Sequence, residues 1–182
     1  MALRGWRFPP YLPMGVLAMP VITEVTSQMV PPGRVTVVSP VNTLWTVKLL
    51  NLDHVAIAVH DLDASLEGYR ERYRVEALYR EVVESQGVEE AMIPVGGSFI
   101  QLLQPLDDET PVGRFLSKRG EGLHHIAYAV LSIESALEHL AAQGARLIDT
   151  EPRVGGRGTR IAFVHPGDLG GTLIELVELS DV

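Results

Sequence analysis

The chain has 182 residues, 46% of them apolar, enough for one ordinary domain with a core and too many for wholesale disorder. Its 15 Lys and Arg against 23 Asp and Glu leave a net charge of -8, which excludes nucleic acid as a partner because nothing would neutralise a row of phosphates. There is no cysteine, so disulfides, thiolate metal sites and cysteine nucleophiles are excluded, and a metal would have to be held by His, carboxylate or amide oxygen.

Residues 1–50 stand apart from the rest. They hold seven of the twelve prolines (Pro9, Pro10, Pro13, Pro20, Pro31, Pro32 and Pro40), and their charges are Arg4, Arg7, Arg34 and Lys48 against Glu24 alone. So many prolines break any sustained period. The segment is expected to be a disordered extension, a targeting peptide, or the product of a start read too early, with Met14, Met19 or Met29 as the truer one. It is left out of the fold. The apolar stretch from Tyr11 to Thr23 is broken by Pro13 and Pro20, and no apolar run reaches the ~18 residues that span a bilayer. No membrane partner is expected. The chain is expected to be soluble and cytoplasmic, or in the mitochondrial matrix if the extension is a transit peptide.

From Leu52 onward the chain repeats. Asp53–Val59 matches His124–Val130 at an offset of 125 − 54 = 71 residues, and Ile100–Leu103 matches Ile174–Val177 at 175 − 101 = 74. Each copy reads strand, helix, three strands. In the first copy the opening strand alternates, with Val55, Ile57 and Val59 on one face and His54, Ala56 and Ala58 on the other. A helix follows through Leu62, Leu66, Tyr69 and Tyr73, then strands at Ala77–Val83, Glu89–Val95 and Ser98–Gln104, with a tight turn at Gly96-Gly97. In the second copy a helix runs through Ile133, Ala136, Leu137, Leu140 and Ala141, with Ser132 as its N-cap and Gly144 as its stop. Strands are expected near Ala145–Ile148, Arg160–Val164 and Thr172–Glu178. Two copies are too few for a solenoid. The pattern predicts an α+β fold of two βαβββ modules, 51–105 and 122–178, joined by a linker at 106–121 and curled as a mixed sheet around a cleft.

The repeat sets four polar residues at equivalent strand positions: His54 and Gln101 in the first module, His125 and Glu175 in the second. Gln101 sits between Phe99 and Leu103, and Glu175 between Leu173 and Val177. Burying such groups among apolar neighbours is costly unless something pairs with them. Brought together by symmetry, they would hold a divalent ion and leave coordination positions open for substrate oxygens. Taken singly, a strand histidine is more often a hydrogen-bonded core residue, and Gln101 and Glu175 are ordinary polar side chains. Their equivalent placement is what makes them a group. His124 should point to the opposite face from His125 and is read as a structural residue or a support behind the ligand.

The segments LDHVAIAV, GLHHIAYAV, FIQLLQPL and GGTLIELVE resemble the vicinal oxygen chelate, or glyoxalase, superfamily, and within it the methylmalonyl-CoA epimerases. The resemblance runs from about Leu52 to Glu178 and includes the linker. The residue matching Gln101 is typically glutamate in glyoxalase I but Gln in the epimerases. QGVEEAMIPV resembles the epimerase stretch that carries a catalytic glutamate, which makes that residue Glu90, with adjacent Glu89 the other candidate. The resemblance implies a homodimer, an acyl-CoA substrate and a divalent metal ion (Co, Mn, Ni or Zn). It also implies that Glu90 and Glu175 serve as acid and base on opposite faces of the α-carbon, with Glu175 also a metal ligand. Such an ion would act as Lewis acid on the two carbonyl groups that acidify that carbon. Gly155–Gly158 and His165-Pro166 are expected near loops that cover the substrate, while Lys118, Arg119, Arg157 and Arg160, candidates to meet CoA phosphates, are more often surface charges and are left out of the site. Three alternatives share the scaffold. An extradiol-type dioxygenase would use two His and a Glu on iron without Gln101. A glyoxalase I-like lyase would also use the metal. A metal-free binding or resistance protein would favour an aromatic-lined cleft, which a 6% aromatic content disfavours.

Overall fold

The computed structural model describes residues 49–168 and 170–179. The expectations for residues 1–48 lie outside the described residues. The first module comprises β1 (Asn51–Ala58), α1 (Leu62–Tyr73), β2 (Tyr79–Val83), β3 (Val88–Val95) and β4 (Ser98–Pro105). After α2 (Pro111–Arg119), the second comprises β5 (Gly122–Val130), α3 (Ile133–Ala142), β6 (Arg153–Val154), β7 (Arg160–Val164) and β8 (Leu173–Glu178). All eight strands form one curled, mixed sheet in the order β2-β3-β4-β1-β5-β8-β7-β6.

The seam between the modules is the antiparallel pair β1–β5, and its register respects the repeat: His54 faces Ala127, and Ala56 faces His125. Because 54 and 125, like 56 and 127, are repeat-equivalent, the pairing maps onto itself when the modules are exchanged. Outside the seam, β4 runs parallel to β1 and β8 parallel to β5.

The helices start where local chemistry allows. Asp61 caps α1 by accepting from the Ala64 amide at 2.8 Å, and Ser132 caps α3 by accepting from the Ser135 amide at 3.2 Å. Each cap satisfies one of the amides that a helix N-terminus leaves without an intrahelical partner. The outer face of the sheet packs on these helices. In module one Ile57, Val59, Ala91, Ile93 and Leu102 meet Leu62, Leu66 and Tyr69. In module two Val130, Ala162, Val164, Ile174 and Leu176 meet Ile133, Ala136 and Leu137. Leu62 and Ile133 have no exposed surface, and each such side chain contributes about 1.5–3 kcal/mol by leaving water.

The linker, to which the sequence reading gave no secondary structure, holds helix α2 at 111–119. Thr110 accepts from the Gly113 amide at 3.0 Å, Pro111 opens the helix and Gly120 ends it with φ 72°. Val112 and Leu116 of α2 pack with Ala56, Ala58, Val83, Val88 and Leu103, so the helix closes one end of the inner face. One expected strand needs correction: that at 145–148 is reduced to one bridge, Leu147 to Val164. The amides of Ile148 and Asp149 both turn to the Phe163 carbonyl, at 3.0 and 3.1 Å. The Asp149 carboxylate takes the Phe163 amide at 2.8 Å, where a strand carbonyl would otherwise sit. Pairing to β7 resumes only at Arg153.

Candidate functional site

The register aligns the inward-facing polar residues in two adjacent rows across the sheet. One row runs from Glu175 on β8 through Ala127 on β5 to His54 on β1; the other runs from Gln101 on β4 through Ala56 on β1 to His125 on β5. Ala56 and Ala127 are fully buried and carry only a methyl group. The larger side chains on either side can therefore lean together over them.

Three of the four do converge. His54 Nε2 is 2.9 Å from Glu175 Oε2, His125 Nε2 is 3.1 Å from the same oxygen, and the two Nε2 atoms are 3.2 Å apart. Neighbouring ligands of an octahedral ion with bonds of about 2.1 Å stand about 3.0 Å apart, so this triangle has the span of one face of such an ion. Gln101 is buried beside them. Its Nε2 donates to Glu90 Oε2 at 2.8 Å, while its Oε1 is buried with no hydrogen-bond partner. An orphaned carbonyl costs about 1–3 kcal/mol, and a cation is one thing that would satisfy it. Two imidazoles, a carboxylate and an amide oxygen are an N/O donor set that fits a divalent ion.

The electrostatics follow from this crowding. Burial opposes charge on His54, yet hydrogen bonds to Asp53 and Glu175 outweigh it and push its pKa up to about 9. Burial likewise opposes ionisation of Glu175, but hydrogen bonds from His125 and His54 hold its pKa down near 2. Glu90 is the reverse case. It is 2% exposed, and burial, reinforced by the charge of Glu81, raises its pKa to about 7. Glu81 faces Glu90 directly in the β2–β3 ladder.

Glu90, Gln101, His54 and Glu175 line one cavity of about 110 Å³, together with Tyr79 and Gly156. Glu89, one residue earlier on the strand, does not line it and is ion-paired with Arg80 at 2.6 Å. The loop at 155–159 crosses from the second module to Glu90. The Arg157 amide donates to Glu81 at 2.8 Å and the Arg157 guanidinium lies 4.9 Å from the Tyr79 ring centre. Gly156 passes so close that a Cβ there would overlap the Glu90 carboxylate. Gly156 and Arg157 of this loop thus line the same cavity as Glu90. Arg160 is engaged elsewhere, with Glu134 and Glu178.

Sequence reasoning passed over Asp53, Glu81 and the close approach of Gly156, and it misplaced His124. That residue does not turn away from His125, since its Nδ1 lies 2.9 Å from His125 Nδ1. Burial and the neighbouring His125 lower the pKa of His124 to about 4. The signal that would have found Asp53 is its equivalence to His124 in the repeat.

The glyoxalase/bleomycin resistance protein/dioxygenase superfamily matches residues 53–163. An ethylmalonyl-CoA/methylmalonyl-CoA epimerase of Cereibacter sphaeroides is 38% identical over 130 residues, covering 70% of this chain and 97% of the relative. A solved methylmalonyl-CoA epimerase in complex with methylmalonyl-CoA and ammonium is 42% identical, with a TM-score of 0.71, covering 74% of this chain and 98% of that one. The chain belongs to the methylmalonyl-CoA epimerase family of this superfamily. The family extends to the mitochondrial methylmalonyl-CoA epimerase of Homo sapiens, 33% identical over 134 residues, covering 73% of this chain and 75% of the relative. As a family member the chain is an enzyme of the epimerase class. Among its described residues no helix is long and apolar enough to cross a membrane.

Proposed function

We propose that the chain interconverts the two epimers of methylmalonyl-CoA. The observation that carries this reading is the sharing of one cavity by two buried carboxylates of opposite character, Glu90 and Glu175. Inverting a carbon acid needs a base on one face and an acid on the other, and no nucleophile. Glu175, with its pKa near 2, stands ionised, whereas Glu90, near 7, can hold or give up a proton at neutral pH. Environments that drive two carboxyl groups apart in this way mark acid and base roles. The relative solved with methylmalonyl-CoA supports the substrate class.

His54, Gln101, His125 and Glu175 would hold a divalent ion (Co, Mn, Ni or Zn), which when bound supplies Lewis-acid stabilisation of charge on the substrate oxygens. Glu175, ionised, would take the α-proton from one epimer while protonated Glu90, oriented by Gln101 Nε2, would give its proton to the other face. The other epimer would react in reverse, with Glu90 as base and the proton now held by Glu175 as acid. Burial of both carboxylates keeps bulk water from the α-carbon. The reading extends to a homodimer in the cytoplasm, for which sedimentation should give twice the chain mass.

The direct test is incubation of each pure epimer of methylmalonyl-CoA with the purified chain, followed by circular dichroism. Convergence of both signals on one common spectrum at unchanged substrate concentration is expected. A substrate consumed with oxygen uptake, or left untouched, would refute the assignment.

A further inference from the structure

The β1–β5 ladder is interrupted twice. Pairing passes from Leu52–Tyr128 to His54–Ala127, so Asp53 is an extra residue on β1. It passes again from Ala56–His125 to Ile57–Leu123, so His124 is an extra residue on β5. These two residues are repeat-equivalent, each immediately before a site histidine. In an unbroken strand consecutive side chains point to opposite faces. A bulge breaks that alternation and re-aims a side chain. Both residues accordingly lie beside the histidine that follows them. Asp53 Oδ1 is 2.8 Å from His54 Nδ1, and His124 Nδ1 is 2.9 Å from His125 Nδ1.

Both contacts fall on Nδ1 and leave Nε2 as the atom aimed at Glu175, at 2.9 Å from His54 and 3.1 Å from His125. A neutral imidazole carries its proton on one nitrogen and a lone pair on the other. An acceptor placed at Nδ1 keeps the proton there and frees the Nε2 lone pair. The Asp53 carboxylate can only accept. His124 can accept at Nδ1 when its own proton sits on Nε2.

We propose that Asp53 and His124 are positioning residues, bulged acceptors that fix the Nδ1–H tautomers of His54 and His125 and thereby present both Nε2 atoms to a divalent ion. The inference rests on the metal reading of the site given above. It adds an asymmetry: the two modules perform one task with different groups. A carboxylate partner makes His54 the more electron-rich ligand, and a neutral ring at His125 adds no charge.

The test uses the full chain, with Co²⁺ affinity measured by calorimetry. Histidine tautomers are read from ring ¹⁵N shifts of the Zn²⁺-loaded protein, and thermal unfolding serves as a control. Asp53→Ala should weaken Co²⁺ binding by about 10–100-fold, the usual consequence of losing a partner behind a ligand histidine. Asp53→Asn, which keeps an acceptor oxygen, should recover most of that loss. His124→Phe and His124→Gln should behave as the corresponding pair for His125. The wild type should show both ring protons on Nδ1. Unchanged Co²⁺ affinity in Asp53→Ala and His124→Phe, Nε2–H tautomers in the wild type, or a loss that merely follows the unfolding temperature would overturn the proposal while leaving the metal site standing. A wild type that binds no Co²⁺ would instead overturn the metal reading, and this inference with it.

Discussion

His54 and Glu175 belong to different modules, yet their side chains meet at 2.9 Å with a single residue, Ala127, between them in the sheet. The contact exists because the middle position of that row carries only a methyl group, and Ala127 has no exposed surface. Ala127→Leu should therefore drive the two ligands apart. Overpacking of this kind costs about 1–3 kcal/mol in stability. The variant is expected to remain folded by circular dichroism and to lose Co²⁺ binding by calorimetry. Retention of wild-type affinity would show that the alanine row is not what lets the ligands meet.

Glu90 and Glu175 should separate proton transfer from binding. Glu90→Gln is expected to keep metal and thioester affinity and to lose epimerisation by roughly 10²–10⁴-fold, the range for a missing acid–base group. With one face disabled, it should wash deuterium into one epimer only, without inversion. Glu175→Gln should be worse, because metal binding weakens as well. Steady-state rates and single-epimer exchange measure both. Full inversion in Glu90→Gln would pass the role to Glu89 or to water.

Much of this site was legible in the sequence because duplication repeats the pattern. The alternation around Val55 and Ile57, matched 71 residues later, was enough to set His54 and His125 on one face and to infer the modules. What lay hidden depends on contacts between strands. Whether Asp53 and His124 face outward or turn beside their histidines is decided by the β1–β5 register, which neither strand specifies alone. Helix α2 was missed although Thr110, Pro111 and Gly120 bracket it, because nine residues are too few for a helical period to stand out. The strand expected at 145–148 fails because the Asp149 side chain takes a ladder hydrogen bond, a substitution of side chain for backbone that apolar patterning does not register.

Helix α2 gives a stability test remote from the chemistry. A Cβ on Gly113 would overlap the Asp107 carbonyl and lie 2.7 Å from Asp108 Cα. These are backbone atoms that cannot swing aside. Gly113→Ala is expected to cost about 1–3 kcal/mol by urea denaturation, despite alanine's better helix propensity. A stabilised variant would mean that the turn at 107–108 yields freely.

The site residues all lie at or after Asp53, and the proline-laden residues 1–46 carry none of them. A chain beginning at Val47 is expected to fold, bind Co²⁺ and epimerise as the full chain does. Loss of cooperative unfolding on this deletion would assign the segment a part in the core.

If two carboxylates move the α-proton at a metal-assisted site, that proton of methylmalonyl-CoA must exchange with solvent, which NMR in deuterated water follows with and without a chelator. Exchange into both epimers with no other chemical change, abolished by chelation and restored by Co²⁺, is the predicted result. Exchange indifferent to the chelator, or absent altogether while the chain is folded and metal-loaded, would contradict it.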